Sequence, residues 1–183
     1  GAGDDWFYLG DPTDRVADGG TGYDRVVIIK AAMSLTIDGT WAAIERVDGA
    51  AGAETVDASA YTGNLFMWAN AGNDMFTGGS GADSIFGNDG NDTLDGGPGG
   101  DDVMLGGAGF DRFVFSDGAG TDRINDWEDG IDLIDLDGVS GVSGFGDLSI
   151  STGVSTTITA GSETIILTGF TGTLDSGDFD FGI

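Results

Sequence analysis

Five aspartates recur through the middle of the chain at a spacing that could bind metal ions. Asp74, Asp83, Asp92, Asp102 and Asp111 lie 9, 9, 10 and 9 residues apart. A glycine precedes each aspartate by two positions, and an apolar residue follows each one by two positions. Carboxylate oxygens are the ligands that hard cations such as calcium prefer in proteins. A glycine-rich linker would not keep these positions in phase, so the spacing predicts a folded repeat that binds cations.

The repeat reads Gly-Gly-x-Gly-x-Asp-x-apolar-x, and residues 78–86 and 106–114 match it in full. Glycine reaches backbone angles closed to other residues, so the first six positions can turn carbonyl oxygens and the carboxylate toward one centre. The last three positions predict a short strand whose middle side chain points inward. Two repeats complete one coil, which places successive aspartates alternately on two edges. One edge is predicted to carry Asp74, Asp92 and Asp111, and the other Asp83 and Asp102.

A calcium ion between successive turns would take about six to eight oxygens from side chains and carbonyls of both turns. The composition points to the same dependence on cations, because 32 acidic and 6 basic residues give a formal net charge of −26. Self-repulsion on this scale opposes a compact state, and the 36 glycines add an entropic cost.

The charge also argues against nucleic acid or an anionic membrane as partner. No run of 18 apolar residues occurs, so no membrane span is predicted.

Cysteine and histidine are both absent from the sequence. This removes thiolate ligands, the commonest zinc ligand and the commonest general base, and it leaves oxygen ligation by the 28 aspartates. The zinc protease motif HExxH cannot occur, and no serine has a histidine partner. A non-catalytic module is therefore expected, with any catalytic activity of a larger parent protein in a domain upstream of Gly1.

The predicted metal ligands are aspartates of the repeats and turn glycines that supply carbonyl oxygens. They are Asp5, Asp24, Gly72, Asp74, Gly78, Gly81, Asp83, Gly87, Gly90, Asp92, Gly96, Gly100, Asp102, Gly106, Gly109, Asp111, Asp126, Asp129 and Asp132. The last three flank Trp127 and Gly130 and could form one further oxygen site, with a solvated acidic loop as the alternative.

The nine-residue pattern resembles the repeat of the RTX family of calcium-binding β-rolls. Residues 19–27 make a further full repeat, and residues 3–7 make half of one. Residues 52–56 form a decayed unit with Glu54 in the aspartate position, where the longer side chain would bind calcium weakly or cap the roll. Residues 26–29 and 34–47 lack glycine turns and are expected to continue the roll as imperfect coils. The resemblance implies an all-β fold, a parallel β-roll.

Residues 112–183 resemble the C-terminal segment of serralysin-type RTX proteins. The matching stretches are RFVF at 112–115, GTDRINDW at 120–127, GIDLIDL at 130–136, ETIIL at 163–167 and LDSGDFDF at 174–181. In that family the segment forms antiparallel strands that cap the roll, and it carries an uncleaved signal for type I secretion. The tail from Asp178 to Ile183 is the expected signal, with an ordinary amphipathic last strand as the alternative.

These resemblances predict three segments and a secreted protein of a Gram-negative bacterium. Residues 1–60 are an interrupted roll, residues 61–115 the core calcium-binding roll, and residues 116–183 the cap with the export signal. In a calcium-poor cytosol the roll is expected to stay unfolded and exportable. Outside the cell, at roughly millimolar calcium, ions that bind only the folded state would shift the folding equilibrium. The type I secretion machinery is therefore an expected partner.

Three aromatic residues suggest a second function. Trp6, Tyr8 and Trp68 lie beside inward positions and could point outward and stack on sugar rings. The chain resembles in size the RTX modules of alginate epimerases, which assist polysaccharide binding, and other RTX proteins are surface adhesins. A polysaccharide or cell-surface component is therefore the alternative partner. Burial of the three rings against neighbouring segments is the simpler interpretation.

Overall fold

Through the middle of the chain, short strands alternate between two β-sheets, as the nine-residue repeat predicts. The computed structural model describes residues 1–14, 16 and 18–182. Arg15 and Ala17 of the predicted N-terminal segment, and Ile183 at the end of the predicted export signal, lie outside the described residues. In chain order the strands are β1 Trp6–Leu9, β2 Arg25–Ile28, β3 Ser34–Thr36, β4 Arg46–Asp48, β5 Thr55–Asp57, β6 Phe66–Trp68, β7 Met75–Thr77, β8 Ser84–Asp89, β9 Thr93–Asp95, β10 Val103–Ala108, β11 Arg112–Ser116, β12 Thr121–Ile124, β13 Leu133–Gly138, β14 Ser149–Thr152, β15 Thr156–Ala160, β16 Glu163–Leu167 and β17 Phe179–Asp180.

From β2 to β13, each coil contributes one strand to each sheet. The ten-stranded sheet has the order β1-β2-β4-β6-β8-β10-β12-β16-β15-β14, and the seven-stranded sheet has the order β17-β13-β11-β9-β7-β5-β3. Antiparallel pairing occurs, among the described strands, in β14–β15 and β15–β16, and the other named pairs are parallel. The prediction of an all-β parallel roll with antiparallel strands toward the C-terminal end is confirmed.

The apolar position of each repeat points into the roll. Ile85 pairs with Met104 in the ten-stranded sheet, and Phe76 pairs with Leu94, which in turn pairs with Phe113, in the seven-stranded sheet. All five side chains are fully buried. The strands are short because each needs only one inward side chain between two less buried neighbours, and the turns supply the rest of the coil.

The imperfect coils of residues 33–65 continue the roll, but their interior is larger than a single row of apolar residues. Trp41, Tyr61 and Leu65 are buried in the turns of these coils. The Tyr61 hydroxyl donates to the Ile44 carbonyl oxygen at 2.9 Å and accepts from the Ile44 amide at 3.0 Å. The predicted strand at Ser34–Thr36 is present, and residues 42–47 contribute the start of β4.

Parallel pairing continues across both predicted segment boundaries. The boundary after residue 60 is bridged by β4–β6 and β5–β7, and the boundary after residue 115 falls inside β11. Two short 3-10 helices, Phe145–Asp147 and Ser176–Asp178, lie in the C-terminal segment. None of the helices in the described part of the chain has the length and apolar character needed to cross a membrane.

Candidate metal sites along the two edges

The turns that precede the strands stack into two ladders of acidic residues. Edge A comprises the turns that lead into the ten-stranded sheet, and edge B comprises those that lead into the seven-stranded sheet. On edge A the Asp83 amide donates to Asp102 Oδ1 at 2.7 Å, and the Asp102 amide donates to Asp122 Oδ1 at 2.9 Å. One carboxylate oxygen of the later aspartate in each pair thereby holds the preceding coil in register.

Edge B repeats this arrangement with the other aspartates. The Asp74 amide donates to Asp92 Oδ1 at 2.8 Å, and the Asp92 amide donates to Asp111 Oδ1 at 2.9 Å. The Asp111 amide donates to Asp132 Oδ1 at 3.2 Å. The aspartates thus alternate between the two edges as their spacing predicts, although whether they bind calcium stays a prediction.

Edge A begins in the N-terminal coils. The Asp5 amide donates to Asp24 Oδ1 at 2.9 Å, and the Asp24 amide donates to Glu45 Oε2 at 2.7 Å. Asp24 is fully buried, whereas Asp5 is partly exposed and faces the N-terminal amine at 3.5 Å. Asp24 therefore has the surroundings of the central aspartates, and Asp5 does not.

The second carboxylate oxygen is what makes these turns candidates for metal binding. Five buried Oδ2 atoms lack a hydrogen-bond partner within the described residues. They belong to Asp24, Asp74, Asp92, Asp102 and Asp111. A buried polar atom without a partner is costly, and an ionised one is costlier still. A cation beside each Oδ2 would remove that cost.

The predicted turn glycines create the space around these oxygens. A Cβ on Gly87 would overlap both Asp92 Oδ2 and the carbonyl oxygen of Gly106 in the next coil. A Cβ would likewise overlap the Oδ2 of the aspartate in the same turn at Gly78, Gly96 and Gly106. An N-terminal counterpart exists at Gly19, which lies against Asp24 Oδ2 and the Ala43 carbonyl oxygen. Only glycine leaves a pocket in which a carboxylate oxygen and a carbonyl oxygen of the next coil converge.

A second set of predicted glycines lets the coils approach each other. A Cβ on these residues would overlap the carbonyl oxygen of the coil before. They are Gly72, Gly81, Gly90, Gly100 and Gly109. At Gly90, φ is +144°, a conformation that side-chain-bearing residues rarely adopt. These glycines therefore bring backbone oxygens of adjacent coils close to each aspartate.

Burial changes the acidity of the ladder residues. It raises the pKa of five carboxyls to about 6, namely Asp74, Asp83, Asp92, Asp111 and Asp132. It raises the pKa of Asp122 to about 7 and that of Asp102, which also faces neighbouring aspartates, to about 8. Without counter-charge the turns therefore disfavour ionised aspartate, and a bound cation reverses this preference.

The predicted extra site at Asp126, Asp129 and Asp132 does not form as one cluster. The two oxygens of Asp126 accept the Gly106 and Gly107 amides at 3.0 and 2.9 Å. Asp132 Oδ2 accepts the Glu128 amide at 2.9 Å, and Asp129 is exposed. Within the described residues no three acidic side chains converge as a metal site. A cation on either edge would therefore draw most of its six to eight ligands from backbone carbonyls.

Asp83 differs from the five aspartates with an unpartnered oxygen, because its Oδ2 accepts the Gly79 amide at 2.8 Å. Asp122 is a ladder residue that the repeat pattern missed. It is buried and lies 20 residues after Asp102, with Gly120 two positions before it and Ile124 two positions after it. This glycine–aspartate–apolar spacing is the signal that could have identified it.

The three predicted sugar-stacking residues lie on the outer face of the ten-stranded sheet. Trp6 is 55% exposed and Tyr8 58% exposed, so the expectation that they are buried is wrong. Trp68 is half-buried and stacks on Phe86 and Phe66, with ring centroids 5.1 and 6.1 Å away. The face thus carries aromatic rings at two levels of exposure.

Arginines cover part of the same face. The Arg25 guanidinium lies 4.4 Å from the centroid of Trp6, and that of Arg46 lies 4.8 Å from Phe66. Asp48 forms ion pairs with both arginines, at 2.7 Å for Arg46. Each arginine is thereby fixed against a ring, with part of its charge compensated.

The coil geometry defines a parallel β-roll whose turns are lined by oxygen atoms. Residues 68–101 and 99–113 match the family model described as RTX calcium-binding nonapeptide repeat. The chain therefore carries a block of RTX calcium-binding repeats, and the predicted resemblance to this family is confirmed.

Two solved structures have a similar arrangement of the chain. The solution structure of the AlgE6R3 subunit from the Azotobacter vinelandii mannuronan C5-epimerase is 22% identical, with a TM-score of 0.47 over 85% of this chain and 82% of that chain. The crystal structure of the extracellular lipase LipA from Serratia marcescens is 18% identical, with a TM-score of 0.42 over 97% of this chain and 37% of that chain. A comparison with curated proteins finds no significant match.

Proposed function

We propose that the chain is a non-catalytic module of a larger secreted bacterial protein, and that calcium drives its folding after type I secretion. The observation that carries this proposal is a set of five buried Oδ2 atoms that have no hydrogen-bond partner among the described residues, on Asp24, Asp74, Asp92, Asp102 and Asp111. Each needs a cation in the folded state and none in the unfolded state, where water solvates it.

Mass action then links folding to the calcium concentration. An ion that binds only the folded chain stabilises it more as its concentration rises above the dissociation constant. In a calcium-poor cytosol the net charge of −26 keeps the chain expanded and suitable for export. Outside the cell the ions supply the missing counter-charge, and the coils close on one another.

A calcium titration followed by far-ultraviolet circular dichroism tests this link. We expect clearly less β signal in chelator than in calcium and a cooperative gain on addition of calcium, while magnesium at the same ionic strength serves as the control. Equal β content in chelator and in calcium would contradict the proposal.

The C-terminal segment is proposed to cap the roll and to carry the export signal. Strands β14, β15 and β16 end the ten-stranded sheet with antiparallel pairs. Near the tail, Arg112 pairs with Asp135 and Asp180, both at 2.7 Å, and thereby ties the last strand to the coil of β11. The tail would be read by the exporter before this ion pair forms, because the chain is unfolded in the cytosol.

Deletion of residues 178–183 tests the signal in cells that carry a type I exporter. Loss of the protein from the medium is expected, with the purified deletion variant still gaining β content in calcium. Unchanged export of the deletion variant would place the signal elsewhere.

A second candidate function is polysaccharide binding at the outer face of the ten-stranded sheet. The observation that favours it is the exposure of Trp6 and Tyr8 beside Arg25, because such rings stack on sugars and the guanidinium attracts a carboxylate. Titration of polyuronate into the calcium-loaded protein should give binding that Trp6→Ala weakens. Phe110→Ala, which removes an exposed ring elsewhere, is the matched control. If the unsubstituted chain does not bind polyuronate, calcium-linked folding is its only proposed function.

A further inference from the structure

Glutamates and aspartates have different partners on the two edges. The chain has four glutamates, and three of them, Glu45, Glu54 and Glu163, accept backbone amides on the edges of the roll. Glu54 occupies the aspartate position of its turn, since its own amide donates to Asp74 Oδ1 at 2.6 Å as an aspartate amide would.

Both carboxylate oxygens of Glu54 are used within the protein. Oε1 accepts the Ala32 amide at 2.8 Å, and Oε2 accepts the Ala50 amide at 3.1 Å. The side chain is buried, so these charge-assisted hydrogen bonds are shielded from water. Burial raises the pKa of the Glu54 carboxyl, and the two amides act against this shift. Both Glu54 oxygens thus have partners, whereas Oδ2 of the neighbouring Asp74 has none among the described residues.

The turn around Glu54 otherwise retains the features of the metal-binding turns. Gly49 lies against the Ala69 carbonyl oxygen of the next coil, as Gly87 lies against that of Gly106. The difference is the length of the acidic side chain, because one methylene moves the carboxylate by roughly 1.5 Å. Asp83 and Asp132 accept an amide four residues earlier without the extra methylene, as Glu54 accepts that of Ala50. The longer side chain of Glu54 also reaches the Ala32 amide of the coil before.

Glu163 makes a similar arrangement on edge A. Its two oxygens accept the Gly118 and Gly120 amides, each at 2.9 Å, and it also accepts the Ser162 hydroxyl. These donors lower the pKa of the Glu163 carboxyl although burial raises it. A glutamate that caps backbone amides therefore occurs on both edges.

We infer that the Glu54 carboxylate takes the place of a calcium ion in its turn. Where no amide of the described residues reaches an aspartate Oδ2, as at Asp92, side-chain length then decides whether the turn binds an ion. This inference rests on the proposed calcium-linked folding. It predicts that one methylene converts a turn in either direction: Glu54→Asp creates a calcium site, and Asp92→Glu removes one.

Counting the bound ions in the full chain tests the inference. Equilibrium dialysis at saturating calcium, followed by elemental analysis, should give one ion more than the parent for Glu54→Asp and one ion fewer for Asp92→Glu. Circular dichroism in calcium checks that each variant is folded. Glu54→Gln, which keeps the length, and Asp89→Glu, which lengthens an exposed side chain, should both leave the count unchanged.

An unchanged ion count in folded Glu54→Asp, or a gained ion in Glu54→Gln, would overturn the inference. If Glu54→Asp does not fold, the count for Asp92→Glu decides, and a value equal to that of the parent overturns it. Failure of the proposed function gives a different result, because the parent protein itself would then bind no calcium.

Discussion

Residues 33–65 and residues 68–113 form the same coil around different interiors. The first region fills its turns with side chains, namely Trp41, Tyr61 and Leu65, and with the capped carboxylate of Glu54. The second region fills its turns with glycine, and several of its aspartate oxygens have no hydrogen-bond partner in the described part of the chain. The backbone path is shared, but the means of stabilising it is not.

Edge A shows how a single position changes between the regions. Leu65 occupies the ladder position before Asp83, and its amide donates to Asp83 Oδ1 at 2.7 Å in the same way as an aspartate amide. Its side chain is buried among apolar neighbours instead of facing an oxygen-lined turn. The hydrogen-bond ladder therefore tolerates an apolar side chain in place of an acidic one, and burial of that side chain stabilises the turn.

The largest expected effect is a regional response to calcium removal. Hydrogen exchange of the full chain should be fast at residues 74–111 in chelator, because their turns lose the cations that offset the buried carboxylates. Residues 35–67 should keep more protection, since their turns rest on side-chain packing. Mass spectrometry of peptides from both regions measures this exchange. Equal loss of protection in both regions would contradict the claim that they are stabilised in different ways.

A single ligand position should produce the next largest effect. Asp92→Ala removes the acceptor of the Asp74 amide together with an unpartnered oxygen, which we expect to cost about 2–3 kcal/mol and to raise the calcium midpoint by tens of times. Asp89→Ala is the matched control, because Asp89 is exposed. Similar calcium midpoints for the two variants would contradict the assignment of Asp92 as a ligand.

The response to pH should have opposite signs with and without calcium. Burial raises the pKa of Asp74 and Asp92 to about 6 and that of Asp102 to about 8, above the roughly 3.9 of an unfolded aspartate. The ion-free folded state then binds more protons than the unfolded state, so its stability is greatest at low pH and is lost as pH rises through 6 to 8.

Circular dichroism of ion-free protein should accordingly give more β content at about pH 5 than at about pH 8. In calcium, protons compete with the ion, so the calcium midpoint should rise as the pH falls. An ion-free protein that loses β content on acidification would refute the role given to the buried carboxyls.

The sequence predicts the region of residues 68–113 better than that of residues 33–65, for a physical reason. Two nine-residue repeats make one coil, so aspartates about 18 residues apart share an edge. This spacing places Asp74, Asp92 and Asp111 together, as the structure shows. The turns at Trp41 and Tyr61 are longer than the glycine turns. The nine-residue spacing therefore no longer predicts which residues of successive coils lie beside each other. Which residue replaces the ligand then depends on packing in three dimensions.

The partner of each second carboxylate oxygen could not be predicted either. Asp83 and Asp92 occupy the same position of the repeat, yet Asp83 Oδ2 accepts the Gly79 amide and Asp92 Oδ2 has no partner among the described residues. The difference lies in the local orientation of one amide. Spacing therefore predicts the candidate ligands, but not which of them most needs an ion.

The smallest expected effect tests the side-chain-filled region. Tyr61→Phe removes the hydroxyl that bonds the Ile44 amide and carbonyl but keeps the ring, so it should cost about 1 kcal/mol of unfolding free energy. Because no calcium ligand is altered, the calcium midpoint should shift far less than in Asp92→Ala, and the loss of protection at residues 35–67 should be the same in calcium and in chelator. Hydrogen exchange under both conditions measures this. A loss that appears only in chelator would mean that the ions also hold the turn at Tyr61, and the two regions would then share one source of stability.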